Sequence, residues 1–396
     1  MFFDRCPACL LAAVMLLPAQ TGASEPAHNA GTRSFAQAQV VPSSMFEYYR
    51  LLAEYRAAWK IFEEQHASYW SSVSEKRRER NAKRRSKQAI ALDDYVLTQP
   101  PVYAGPPMPI DPSQPEPPPV QRKYVPVVAD FLQAAAEHFQ FRPQMPANEM
   151  EYKREYARLA AAAGLTKDQV VRIYAFESSG NGNYDVQAGL EYTHDARAIS
   201  TALGYNQLLN ANSVSLLAEH GNQILAALRN KAAKLTGEPK RALERKIAVV
   251  ERMAAFTRTV PVKWDEHVNL AGTPRGLAVH ALVLDVDVGP LLQVQKLVNS
   301  LRFARLKGYT KPLTAAELEM LNLTGDGNGF DMLSLPSEMR QKVPTANFFQ
   351  PSGYARNAVA RRNNTVSALI AATDSKMDEE AKLKGALDMA AAFDGK

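Results

Sequence analysis

The run Val170-Val171-Arg172-Ile173-Tyr174-Ala175-Phe176-Glu177-Ser178-Ser179-Gly180-Asn181-Gly182-Asn183 reads as a helix that closes on an acid. Thr166 with Gln169 supplies an N-terminal cap just upstream. Val170, Ile173, Tyr174 and Phe176 fall on an apolar face at helical spacing, and the Ser-Ser-Gly-Asn-Gly-Asn loop must end the helix. Glu177 therefore arrives in the last turn. A carboxylate there faces the negative end of the helix dipole and, between aromatic neighbours, loses hydration. Both effects raise its proton affinity.

The same helical grammar extends on both sides. Asn148 with Glu151 and Thr314 with Glu317 look like further caps, and Gly164, Gly221, Gly237 and Gly308 sit where helices should stop. No alternating strand pattern and no internal repeat is visible. The expected fold class is mostly α, with one helical domain over residues 125–375 and a C-terminal tail over 376–396. In a chain of 396 residues with 46% hydrophobic and 22% charged content, a sizeable core is affordable, and 20 Gly with 25 Pro exclude collagen-like and wholly disordered chains.

Residues 100–119 hold ten of the prolines, which favours extended polyproline II and a semi-rigid linker over 96–124. Before it, a long amphipathic helix is expected over 42–95. Ser44 and Glu47 fit a reciprocal capping box, and Met45, Tyr48, Leu52, Tyr55, Trp59, Phe62, His66, Tyr69 and Val73 follow a 3.5-residue repeat. That seam reads as a packing surface, for a coiled coil, a homodimer or a partner helix. His66 is a half-buried helix residue with no metal-spaced companion.

The net charge of +6 is local: Lys76 to Lys87 holds eight basic residues and one acidic, so the remainder is nearly neutral. Such a run suits an anionic membrane or the acidic cell wall, or is a solvated helix end. Nucleic acid is excluded as a partner by export. Arg5, the apolar Cys9–Ala19 run and Thr21-Gly22-Ala23 form a secretory signal over residues 1–23, followed by a polar, unstructured 24–41. Cys6 and Cys9 leave with the signal, so the mature chain is expected to lack cysteine. The expected address is a bacterial periplasm or cell envelope.

Glu177-Ser178-Ser179-Gly180-Asn181, followed by Thr201-Ala202-Leu203-Gly204-Tyr205-Asn206-Gln207-Leu208-Leu209, resembles the first two motifs of the soluble-type lytic transglycosylases, Glu-Ser-x-x-x-Asn-Pro and Gly-Ala-x-Gly-Leu-Met-Gln. Their third motif, Ala-Tyr-Asn-x-Gly, has an echo in Met320-Leu321-Asn322-Leu323-Thr324-Gly325. The resemblance spans islands within about 170–330. It implies a lysozyme-like fold shared with goose-type lysozyme, peptidoglycan glycan strands as substrate, and no cofactor or metal. Glu177 would be the single catalytic acid/base. Ser178, Gly204, Tyr205, Gln207 and Asn322 would line the substrate, Gly204 by allowing close backbone approach. Asn206, Tyr205, Thr201 and Leu321 depart from the family's Met, Leu, Gly and Tyr. The long gap between the first two motifs makes Asn183–Arg197 an extra loop over the cleft.

Two alternatives stay open at this point. Asp185 or Asp195, at about 6.5–9.5 Å from Glu177, could activate water for inverting hydrolysis. Alternatively the domain could be a non-catalytic envelope protein that only binds glycan or a partner. Other candidates fail on spacing. Asp326-Gly327-Asn328-Gly329-Phe330-Asp331 starts like a calcium loop but has Phe330 at the fifth position and Ser337 at the twelfth, and reads as a tight turn. Trp264-Asp265-Glu266-His267, and His280 with Asp285 or Asp287, lack metal spacing.

Overall fold

Ser44 opens the first helix by accepting the Glu47 amide at 3.2 Å, and the chain stays helical for 41 residues. The computed structural model describes residues 43–114, 124–190 and 198–395, so the expected signal over 1–23, Cys6, Cys9, residues 24–41 and Asp195 lie outside it. The described chain is predominantly helical, and isolated bridges such as Gln187 with Leu203 and Leu203 with Leu208 take the place of strands. No single described helix is long and apolar enough to cross a membrane. The chain divides into two compact units: residues 43–114 with 342–347, and residues 124–341 with 348–395.

In the smaller unit, α1 (Met45–Arg85) ends ten residues before the expected boundary, and Lys87 turns at φ 55° before a 3₁₀ turn at Leu92–Asp94. The expected capping box is displaced by one residue. Glu47 accepts from the amide and hydroxyl of Ser43, not from Ser44. The proline-rich run, expected as a spacer, instead folds back along the helical seam. Tyr103 packs on Tyr55, Trp59 and Phe62 with ring centroids 5.1–5.9 Å apart, and Tyr69 donates to the Thr98 carbonyl at 3.0 Å. These aromatic contacts are worth about 0.5–1.5 kcal/mol each beyond area burial, which outweighs the intrinsic stiffness of the prolines. His66 accepts from Trp70 Nε1 at 3.0 Å, a structural role.

Much of the basic run is also internal. Arg80 is 0% exposed, stacks 4.2 Å over the Tyr95 ring and donates to the Asp94 carbonyl at 2.9 Å. Arg77 donates to the Asn347 carbonyl at 2.8 Å, and Lys83 pairs with Asp94 at 2.6 Å. Asn347 in turn bonds both the amide and the carbonyl of Val96. Residues 342–347, far along the chain, thus belong to this unit.

The larger unit begins with α2 (Val128–Phe139), α3 (Glu149–Ala162) and α4 (Lys167–Glu177). It continues through α5 (Asn210–Ala232), α6 (Gly237–Thr257), α7 (Trp264–Ala271), α8 (Pro274–His280) and α9 (Gly289–Leu306). Then follow α10 (Ala315–Thr324), α11 (Asp326–Leu333), α12 (Ser337–Arg340), α13 (Pro351–Arg356), α14 (Ala358–Arg362), α15 (Val366–Glu380) and α16 (Lys384–Phe393). Two packing centres result. One is an apolar core of α2 and α5–α8, with residues such as Phe131, Leu217, Val250 and Val279. The other surrounds α4, which is packed by α3, α10, α15 and α16 and buries Val170, Val171, Ile173, Tyr174, Ala175 and Phe176. At about 1.5–3 kcal/mol per large buried side chain, that burial holds α4 rigidly by both faces.

The caps at Asn148, Thr166 and Thr314 form as expected, each accepting the amide three residues on. Gly164 and Gly308 follow helix ends, but Gly221 lies inside α5 and Gly237 opens α6. At Gly221 a Cβ would meet Arg258 Nη2 at 3.0 Å and Ala254 Cβ at 3.1 Å, so the glycine serves close helix packing, not termination. Residues 326–331 form the first turns of α11 in place of the expected tight turn. The expected tail is likewise structured, because α16 packs on α3 and α4.

Candidate active site

Glu177 is the last helical residue of α4. The chain leaves the helix by donating the Gly180 amide back to Ala175 O at 2.8 Å, with Ser179 between them at φ 51°. This six-to-one closure satisfies a terminal carbonyl, and a non-glycine residue in the left-handed region costs about 1 kcal/mol. The loop is then fixed from outside. Asn181 Oδ1 accepts the Gly385 amide at 3.0 Å and Gly180 O accepts the Ala386 amide at 2.9 Å. These are unpaired first-turn donors of α16, which has no capping side chain of its own. Tyr174 OH donates to Gly182 O at 2.8 Å.

Across from α4, α10 presents Glu319 and Asn322, three residues apart and therefore on one helical face. Asn322 Nδ2 lies 2.7 Å from Glu177 Oε1, and 3.3 and 3.4 Å from the two Glu319 carboxyl oxygens. Glu319 is 0% and Asn322 1% exposed, while Glu177 keeps part of its surface in solvent. Asn322 Oδ1 is buried and has no hydrogen-bond partner among the described residues. The arrangement joins the carboxyl of a half-buried residue to that of a fully buried one through a shared amide.

Burial is the main reason that the Glu177 carboxyl holds its proton to higher pH than usual. The neighbouring Glu319 side chain, the Lys296 charge and the Asn322 hydrogen bond pull the other way. Glu319 is pushed up further, by burial first and then by the adjacent Glu177 charge. Two carboxyls in one dry site cannot both ionise readily, so the pair carries at least one proton near neutral pH. That chemistry suits a proton donor which later becomes an acceptor.

The sequence-derived site residues divide. Glu177 and Asn322, drawn from the first and third motif-like stretches, lie side by side. Ser178 is buried and its Oγ donates to Tyr174 O at 2.6 Å, so it closes the helix. Gly204, at φ 78°, does permit a close approach, but of Gln293: a Cβ would lie 2.0 Å from Gln293 Nε2. Tyr205 is 0% exposed, donates to Glu149, and packs its ring 4.9 Å edge-on against Tyr174 of α4. Gln207 is buried and donates to Gly204 O and Val186 O at 2.9 and 3.2 Å. Asn206 is buried between Gln293 and Tyr156. The expectation that Ser178, Gly204, Tyr205 and Gln207 contact substrate is therefore corrected. Their polar groups are satisfied inside the protein: Ser178 and Tyr205 bear on α4, while Gly204 and Gln207 hold the loop before α5.

Asp185 is exposed, and its charge acts on Glu149 and Tyr184. The carboxyl that faces Glu177 is Glu319, which sequence reasoning missed. Its signal was there: an acid between Leu318, Met320, Leu321 and Leu323, one helical turn before Asn322. Other polar clusters are structural. His280 bonds Ser213 Oγ and Thr201 O at 2.8 Å each, and burial lowers it to about 4, so it stays neutral. Asp285 receives the Gln144, Asp287 and Val288 amides and pairs with Lys246 at 2.9 Å. No set of three potential metal ligands comes together among the described residues. No family model matches this chain, and no curated protein or solved structure does either.

Proposed function

We propose that this protein cleaves the glycan strand of peptidoglycan in the bacterial envelope, by single-acid lytic transglycosylation on a lysozyme-like helical domain. The observation that carries the reading is the 2.7 Å contact between Glu177 and Asn322, the two positions at which the first and third motifs supply polar groups. Support also comes from the accessible face of Glu177, its raised proton affinity, and its place at a rigidly held helix end.

In this reading Glu177 protonates the glycosidic oxygen after N-acetylmuramic acid, and the C1–O4 bond breaks. The sugar's acetamido group stabilises the oxocarbenium-like centre. Glu177, now a carboxylate, takes the C6 hydroxyl proton as O6 bonds to C1, which gives a 1,6-anhydro end and restores the acid. No water enters. Asn322 orients the carboxyl, and its unpaired Oδ1 faces the same neighbourhood.

The test is Glu177→Gln in the full chain. Turnover of purified peptidoglycan should fall at least a hundredfold with the circular dichroism spectrum unchanged. Unchanged turnover, or none in the wild type, sinks the proposal in favour of an envelope protein that only binds. Mass spectrometry of the products separates anhydro ends from the reducing ends of hydrolysis.

A further inference from the structure

Glu319 has no part in the reaction as drawn, yet it occupies the most protected position in the site. Its carboxyl has no solvent contact, and the side chains beside it on α10, Leu318, Met320, Leu321 and Leu323, are all buried and apolar. The same Asn322 amide nitrogen reaches both carboxyls, at 2.7 Å to Glu177 and 3.3–3.4 Å to Glu319. One amide group cannot compensate two buried negative charges. The charged groups whose fields reach Glu319 are Glu177 on α4 and Lys296 on α9, and Lys296 acts on both carboxyls. On α11, Asp326 accepts from Ser300 Oγ at 2.7 Å and Asp331 is buried, while on α15 Asp374 and Asp378 are held by Arg172 at 2.8 and 3.0 Å.

We propose that Glu319 is a positioning residue that retains its own proton and donates it in a hydrogen bond to Glu177. The inference rests on the reading of Glu177 as the acid/base. Of the two residues, Glu319 has no exposed surface and Glu177 is only half-buried, so Glu177 is the one placed to exchange a proton with a substrate. A permanently neutral neighbour supplies a donor aimed at Glu177 in its anionic state, the state that must collect the C6 proton. Both donors, Asn322 and Glu319, come from one face of α10, so they approach the Glu177 carboxyl from the same helix.

The experiment compares Glu319→Gln and Glu319→Ala in the full chain. Glutamine keeps a neutral donor of the same length. It should retain peptidoglycan turnover to within about tenfold with an unmoved pH profile. Alanine should lose about a hundredfold, and the pH dependence should move upward because the Glu177 anion loses a donor. Infrared difference spectroscopy gives a readout independent of turnover: at a pH high enough to ionise Glu177, wild type should still show a buried protonated carboxylic acid band that Glu319→Gln lacks. If Glu319→Ala does not fold, the glutamine variant and the infrared band still decide. Persistence of the band in Glu319→Gln, or a shifted profile in that variant, overturns the proposal. Absence of turnover in the wild type with the band assigned to Glu319 would refute the enzymatic reading and leave the proton assignment standing.

Discussion

Asn322 Nδ2 donates to Glu177 Oε1 at 2.7 Å across 145 residues of chain, and this bond defines the site's geometry. It joins the end of α4 to the last turn of α10, two helices whose caps, at Thr166 and Thr314, are of the same type. Each helix is positioned by its own start, and the carboxyl and amide meet because both are packed on the same side of the core.

Removing this donor changes the protonation of Glu177. A hydrogen bond to an anion favours the charged form, so Asn322→Ala should move the pH dependence of turnover upward and reduce the rate about tenfold. Asn322→Asp, which adds a third carboxyl, should be worse. A pH–rate series on both variants checks the order.

The carboxyl pair also sets a pH dependence of stability. Glu177 and Glu319 bind protons more tightly folded than unfolded, so the folded state holds more protons as pH rises above the ordinary carboxylate range. Their contribution is fully present below about 4.3 and is lost as pH climbs towards and through neutrality. Wild type should therefore lose stability from pH 5 to 8 relative to the Glu177→Gln/Glu319→Gln double variant, in paired thermal melts.

Arg80 reports on the basic run. It is fully buried with a ring stack and backbone acceptors, so Arg80→Ala should destabilise the smaller unit by about 3 kcal/mol. Arg80→Lys should recover little, since one ammonium cannot reproduce the guanidinium fork. Exposed Arg78→Ala should change stability by less than about 0.5 kcal/mol. Denaturant titrations of the three variants distinguish a structural from a surface role.

Asn181→Ala removes a cap from α16 and a tether from the loop after Glu177 at once. The expected cost is about 1 kcal/mol, the usual value of a lost N-cap. If the loop positions the acid, turnover should fall several-fold as well, whereas a purely structural tether would leave turnover at low temperature untouched.

Local signals in the chain were legible and remote ones were not. The caps at Asn148, Thr166 and Thr314 are settled within four residues, and each was readable. Gly221 was misread because its reason is Arg258 and Ala254 on the neighbouring helix. Helix α16 was missed because it is short and borrows its cap from Asn181, 204 residues away. The prolines of 100–109 look like a spacer until Tyr103 is seen against Trp59. Glu177 was singled out by its place at a helix end and then by the resemblance, Asn322 by the resemblance alone, while Glu319 escaped because motif spacing ignores an acid one turn upstream.

The return of Lys342–Asn347 to the smaller unit has a practical consequence for anyone dissecting this protein. Cutting within 115–123 would not yield two independent pieces, because Asn347, which bonds the Val96 backbone and accepts from Arg77, would depart with the C-terminal fragment. Either fragment would then carry an unfilled socket or an orphaned plug. Domain-swap and truncation experiments should accordingly treat the aromatic helix and this six-residue stretch as one inseparable part.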